Sequence, residues 1–201
     1  YKPANMAAKT LIDSGEIGNI IWMTHTQLSN GAPPSTQNGA PKKSDWAGSP
    51  ESKRWNLWKK SGGGILTYVV PHATDICRWF ANSDFDIVYS VGMGRYASDG
   101  DGEDNDIGGF RFKNGVFAAL LDGKSNPGAS IDEWRIVGTN GMIEIKVPQN
   151  RMLGAELNLG KGTWESIEYP NKENQPIEGF DMIASVQGYN SWTSELREFI
   201  N

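Results

Sequence analysis

From Phe85 onward the chain alternates with a period of two, and that pattern limits the fold more than any other feature. Ile87, Tyr89, Val91 and Met93 interleave with Val88, Ser90 and Gly92. Alternation of this kind marks a β-strand, because successive side chains leave a strand on opposite faces. The segments that follow come in pairs around turn signals. Residues 107–112 and 116–122 flank Asn114-Gly115, a dipeptide that tolerates the positive φ angles of a tight hairpin. Residues 131–137 and 142–147 flank Thr139-Asn140-Gly141, and residues 155–159 and 164–169 flank Gly160-Lys161-Gly162. The acidic tract Asp99–Asp106 is expected to be a solvated turn. The 24 glycines fit many tight turns, and 8 Trp, 7 Phe and 6 Tyr supply material for a core, so disorder is not the explanation.

The first part of the chain carries helical spacing. Residues 4–14 predict a helix, with Pro3 in the first turn and Gly15 as its stop. Asn19–Leu28 alternates again and predicts a strand that includes His25, which has no acidic neighbour in sequence and is expected to be structural. Residues 29–53 hold Pro33, Pro34, Pro41 and Pro50 and predict a long loop, anchored toward its end by Trp46, Trp55 and Trp58. Arg54, Lys59 and Lys60 interleave with these indoles. Such a mixture suits a solvated surface loop or a lid that meets a polyol or an anion.

Between the two halves lies Gly62-Gly63-Gly64-Ile65-Leu66-Thr67-Tyr68-Val69-Val70-Pro71-His72. Pro71 fits the first turn of a helix and not its interior, so the helix is expected over 71–81, after a turn or irregular segment. Tyr68 and His72 are four residues apart, the spacing that shares one helical face. A phenol and an imidazole side by side could move a proton, or could simply be packed. Asp75 follows three residues after His72 and could fix its tautomer. A helix is also predicted over 190–200. The prediction is an α+β fold: a mostly antiparallel open sheet of about six or more strands with helices packed on one face. Val116-Phe117-Ala118-Ala119-Leu120-Leu121 is apolar on both faces, so a homo-oligomer contact is expected on the uncovered face.

Charge and composition exclude several function classes. A formal net charge of −5 argues against nucleic acid or an anionic membrane as partner. No apolar run is long enough to span a bilayer. The single Cys77 excludes an internal disulfide and fits a reducing, cytoplasmic setting; it lacks any nucleophile signature. Two His and one Cys make a metal site unexpected, and the acidic tract lacks the spacing of a calcium loop. The start at Tyr1 and the stop at Asn201, inside helical spacing, lead to the expectation of a piece of a larger protein.

The order of "LIDSGEIGNI", strand, Trp-rich loop, "SGGGIL", "HATDICRWF", strand, "EDNDIGGFRFKNG", strand and "VGTNGMIEI" resembles the C-terminal domain of the Gfo/Idh/MocA family (glucose–fructose oxidoreductase, inositol dehydrogenase and rhizopine catabolism). The resemblance covers nearly the whole chain. It implies an N-terminal Rossmann domain that binds NAD or NADP and carries a catalytic lysine. No Gly-x-Gly-x-x-Gly after a strand occurs here, and Gly92-Met93-Gly94 comes closest. The resemblance therefore implies a single substrate-binding and oligomerisation domain over 1–201, inactive alone, with its Rossmann domain elsewhere. Members of the family commonly carry Asp-x-x-x-His. His72 matches the histidine, but Tyr68 stands at the acid position and Val70 where a glycine is usual. The resemblance implies proton transfer by His72 and Tyr68, with Arg54, Trp58, Lys59 and Asp75 contacting a sugar or polyol. Two alternatives stand beside it: a nicotinamide-using glycoside hydrolase of the same architecture, and a non-catalytic carbohydrate-binding or assembly module.

Overall fold

The computed structural model describes residues 3–29, 59–94, 101–124, 130–146, 155–158 and 165–167. Helix α1 spans Pro3–Asp13 and strand β1 spans Ile20–Leu28. Gly15 ends the helix at φ 79°, and the Glu16 amide returns to the Leu11 carbonyl. That loop closure satisfies carbonyls that the helix leaves open. The predicted loop 29–53 and the predicted helix 190–200 fall outside the described residues, apart from Ser29.

The glycine-rich stretch is more regular than its sequence predicts. A short helix α2, Ile65–Tyr68, precedes α3, Val70–Ala81, and the two meet at Val69. Thr67 Oγ1 donates to the Gly62 and Gly64 carbonyls at 2.6 and 2.9 Å, which closes the turn before α2. Gly64 has φ +115°, and a Cβ there would collide with the Glu103 carboxylate. Only glycine combines that backbone angle with that close approach. Pro71 sits in the first turn of α3, where its missing N–H costs nothing. Asn82, at φ 47°, caps the other end in the left-handed conformation.

Seven further strands follow: β2 Phe85–Met93, β3 Asn105–Phe112, β4 Phe117–Gly123, β5 Ile131–Gly138, β6 Met142–Lys146, β7 Ala155–Asn158 and β8 Glu165–Ile167. They form one sheet in the order β2-β3-β4-β1-β5-β6-β7-β8. Every pairing is antiparallel except β1 with β4. The sequence pattern suggests an unbroken meander from β2 to the last strand. Instead β1 enters between β4 and β5, because alternation reports faces and not neighbours. The acidic tract is also shorter as a turn than predicted. Asp106 lies in β3, and Asp104 and Asp106 are buried.

The helices cover one face of the sheet. Ala4 and Ala8 of α1 and Val70, Ala73, Cys77 and Phe80 of α3 pack with Met23, Phe110, Phe112, Ala118, Leu120, Trp134, Ile136, Ile143 and Ile145. Burial holds the Cys77 thiol far above its ordinary range, so it behaves as a small core residue. The hairpin turn at Asn114 is tied to the end of α3: its side chain donates to the Ala81 carbonyl at 2.9 Å. The opposite face stays open. Tyr89, Val91, Ile107, Phe117 and Leu121 are all exposed there, and the register brings Val91 beside Ile107 and Ile107 beside Leu121.

Candidate functional site

A cleft of about 1130 Å³ lies on the helix-covered side of the sheet. Its helical wall carries Tyr68, His72, Asp75, Ile76 and Trp79, α1 adds Asn5, and the floor comes from His25 and Gln27 of β1 and Asp132 and Trp134 of β5. Three of the sequence-predicted site residues, Tyr68, His72 and Asp75, therefore line one cavity. They do so across a helix junction at Val69, not along one continuous helix. His72 and Asp75 are exposed. The imidazole and the Asp75 carboxylate form no bond with each other. Lys59 is exposed and does not line the cleft; its amide donates to Asp101 at 2.8 Å. Arg54 and Trp58 lie outside the described residues.

Tyr68 is half-buried, with its hydroxyl oxygen shielded from solvent. The Lys124 ammonium stands 3.8 Å from the centroid of its ring. A cation over an aromatic face is attracted by the ring's quadrupole. Burial holds the Lys124 ammonium below its ordinary range.

The floor differs from what the sequence suggests. His25 is 5% exposed and sits among carboxylates that are distant in sequence. Its Nε2 is 3.2 Å from Asp132 Oδ1, and its Nδ1 is 3.9 Å from Asp122 Oδ1. The first distance is a hydrogen bond and the second is not. The ring stacks on Trp134 at 4.1 Å and 25°, and Trp134 in turn meets the edge of Phe80 at 5.7 Å. The expectation that His25 has no acidic neighbour is thus corrected: β4 and β5 flank β1 and bring Asp122 and Asp132 to it.

Asp122 is fully buried, and neither of its oxygens has a hydrogen-bond partner among the described residues. Burial pushes its carboxyl up to about 6; His25 opposes the rise, while Asp106 and Asp132 add to it. Burial also raises Asp106, opposed by a hydrogen bond from the Ser90 hydroxyl to its Oδ1. The register explains the grouping. Asp106 pairs with Asp122, Asp122 with Gln27, and Gln27 with Asp132. A polar row therefore crosses four strands at one height, next to the apolar core. The sequence contains its only trace as polar residues at inward positions of otherwise apolar strands.

Gly92-Met93-Gly94 finishes β2, an antiparallel strand, and the next described element is β3. No group of His, Cys, Asp and Glu among the described residues has the arrangement of a metal centre, and none of their helices is long and apolar enough to cross a membrane.

The family described as the GFO/IDH/MocA C-terminal domain matches residues 5–144, more than half of the chain. No curated protein matches the sequence. Among solved structures, the chain is similar to a levoglucosan dehydrogenase in complex with NADH and levoglucosan, with 22% identity over 83% of this chain and a TM-score of 0.63. It is similar to GenD2 from gentamicin A biosynthesis in complex with NAD, with 20% identity over 85% of this chain and a TM-score of 0.60. A myo-inositol 2-dehydrogenase from Lactobacillus plantarum aligns over 71% of this chain at 21% identity and a TM-score of 0.53. These alignments span 44%, 46% and 38% of the respective proteins, so the chain covers less than half of each. Identities this low speak to the fold.

Proposed function

The chain belongs to the GFO/IDH/MocA C-terminal-domain family, and from that premise we propose that it is the substrate-binding and oligomerisation domain of a NAD(P)-dependent oxidoreductase acting on a sugar, polyol or related compound. One observation carries the reading: Tyr68, His72 and Asp75 share a single cleft with a polar sheet floor. A nicotinamide dinucleotide would supply the hydride acceptor, held by a Rossmann domain that is not among these residues. The part left to this chain is to bind and orient the substrate and to handle its hydroxyl proton.

The His72 imidazole is suited to that proton, since it is exposed, lines the cleft and has ring nitrogens that can accept or donate a hydrogen bond. Tyr68 forms the wall beside it, with Lys124 over its ring. Asp75 adds a carboxylate that can accept a hydrogen bond from a substrate hydroxyl. The neighbours named above support a sugar or polyol as the substrate class.

The test is turnover by the full-length protein. NAD(P)H formation from a cyclic polyol or sugar, lost in His72→Ala, supports the reading. Release of a sugar from a glycoside without net NAD(P)H formation would contradict it in favour of a hydrolase. Calorimetric titration of this chain alone with NAD(H) and NADP(H) should give no binding; clear binding would oppose the proposed division of labour.

The oligomerisation role rests on the open face of the sheet. Val91, Ile107, Phe117 and Leu121 are exposed apolar residues gathered on one face of three adjacent strands, and apolar residues grouped in this way mark interaction sites. Its occupant is a second copy of the chain, the same face meeting itself about a two-fold axis. Sedimentation should give a dimer or higher state that Phe117→Glu shifts toward monomer. A wild-type monomer at high concentration would overturn this part alone.

A further inference from the structure

We propose that the floor of the cleft is a hydroxyl-binding subsite: Asp132, with Gln27 beside it, receives two adjacent hydroxyls of the substrate, and buried His25 is the positioning residue that holds the Asp132 carboxylate. The proposal rests on the substrate-domain reading above and extends it from the helical wall to the sheet.

Gln27 and Asp132 are direct cross-strand partners on β1 and β5, and both line the cleft. Opposed residues of an antiparallel pair hold their Cβ atoms about 5 Å apart. A carboxylate and a carboxamide at that spacing present acceptors and donors to neighbouring oxygens of a vicinal diol. A carboxylate recognises two hydroxyls well only when its plane is fixed, because a freely rotating side chain loses its rotational freedom on binding.

His25 provides the fixing. Its Nε2 lies 3.2 Å from Asp132 Oδ1, and its ring is clamped by stacking on Trp134 at 4.1 Å. Trp134 is itself held by the edge contact with Phe80. The imidazole lines the cleft but is almost fully buried, so the part assigned to it is to hold the carboxylate it bonds, Asp132. The other titratable groups around it are Asp122 from β4, with Asp106 of β3 behind, and Cys77 of α3, which lies close enough to Asp122 to feel its charge. Asp122 sits on the Nδ1 side, so the imidazole stands between two carboxylates.

The experiment is calorimetric titration of the full-length protein with myo-inositol and with cyclohexanol, alongside kcat and KM for whichever polyol it oxidises. Wild type should bind the polyol and not the mono-alcohol. Asp132→Asn should weaken polyol binding about tenfold or more, the loss expected when a charged hydrogen-bond acceptor becomes neutral. Gln27→Ala should weaken it several-fold. His25→Gln, whose amide can still donate to Asp132, should stay near wild type. His25→Phe, which keeps the stacking and loses the donor, should weaken binding like Asp132→Asn. The His25→Phe/Asp132→Asn double variant should be no weaker than the worse single variant, because one residue acts through the other. Additive losses, or unchanged binding in Asp132→Asn, would overturn the proposal while leaving the substrate-domain reading in place. A wild type that neither binds nor oxidises any polyol or sugar would overturn that reading and the subsite with it.

Discussion

The two histidines of this chain face one cleft from opposite supports. His72 is exposed at the start of α3, and its side chain bonds to nothing among the described residues. His25 is buried in β1, bonded to Asp132, stacked on Trp134 and close to Asp122. A helix start leaves an imidazole able to exchange protons with solvent or substrate. A strand interior leaves it able to orient neighbours and little else. Under the proposed function the contrast separates chemistry from positioning: the helical wall would act, and the sheet floor would hold.

The largest expected effect lies on the wall. His72→Ala in the full-length protein should reduce kcat by about 10²–10⁴, the range of a lost general acid or base, while changing stability by less than about 0.5 kcal/mol, as for other exposed sites. Steady-state kinetics and chemical denaturation check both halves. An intact kcat would break the comparison at its stronger side and favour a non-catalytic binding module.

The floor should respond in the opposite way. Trp134, 3% exposed and touching both His25 and Phe80, should cost about 3–5 kcal/mol when cut to alanine, through lost contacts and the cavity left behind. Urea unfolding would read this as a lower midpoint, and a loss below about 1 kcal/mol would show that the floor is not held by this stack.

A smaller effect should follow pH. Asp122 has its carboxyl raised from 3.8 to about 6 in the folded state. The protonated form is therefore favoured by folding, so the stability it contributes is fully present below about pH 4 and is lost as pH rises through about 6. Asp122→Asn removes that loss. The variant should match wild type near pH 4 and exceed it by about 1–2 kcal/mol above pH 7, after allowance for screening. A variant less stable than wild type at pH 8 would mean that the Asp122 charge is needed by His25.

The smallest effect is expected at Asp75. It is exposed and bonded to neither His72 nor any other described residue, so Asp75→Asn should alter stability by less than about 0.5 kcal/mol. Its effect on turnover should be a few-fold in KM. A fall in kcat as deep as that of His72→Ala would instead make Asp75 the partner of the imidazole.

The wall was legible in the sequence because its signals are local. Gly64 needs a positive φ, Pro71 marks a helix start, and Tyr68 to Asp75 lie within eight residues, so they stay close in space even though the chain changes helix at Val69. Strand positions were equally legible, since alternation and Asn114-Gly115 act within a few residues. The order of strands was not, because nothing in the spacing of β1 tells which neighbours it will join. That single insertion between β4 and β5 is what sets His25 among Asp122 and Asp132, about 100 residues away in sequence. The same ignorance of register hid Asp106, which looked like part of a solvated acidic turn and is a buried strand residue paired with Asp122.

The most direct test of the account follows both imidazoles at once. The full-length protein, with ring-labelled histidine and the two signals assigned by His72→Gln and His25→Gln, is titrated with a cyclic polyol and observed by NMR. The account predicts that both resonances shift along one saturation curve with a single Kd, since wall and floor contact the same ligand. Saturable binding that moves only His72, or neither ring, would contradict it.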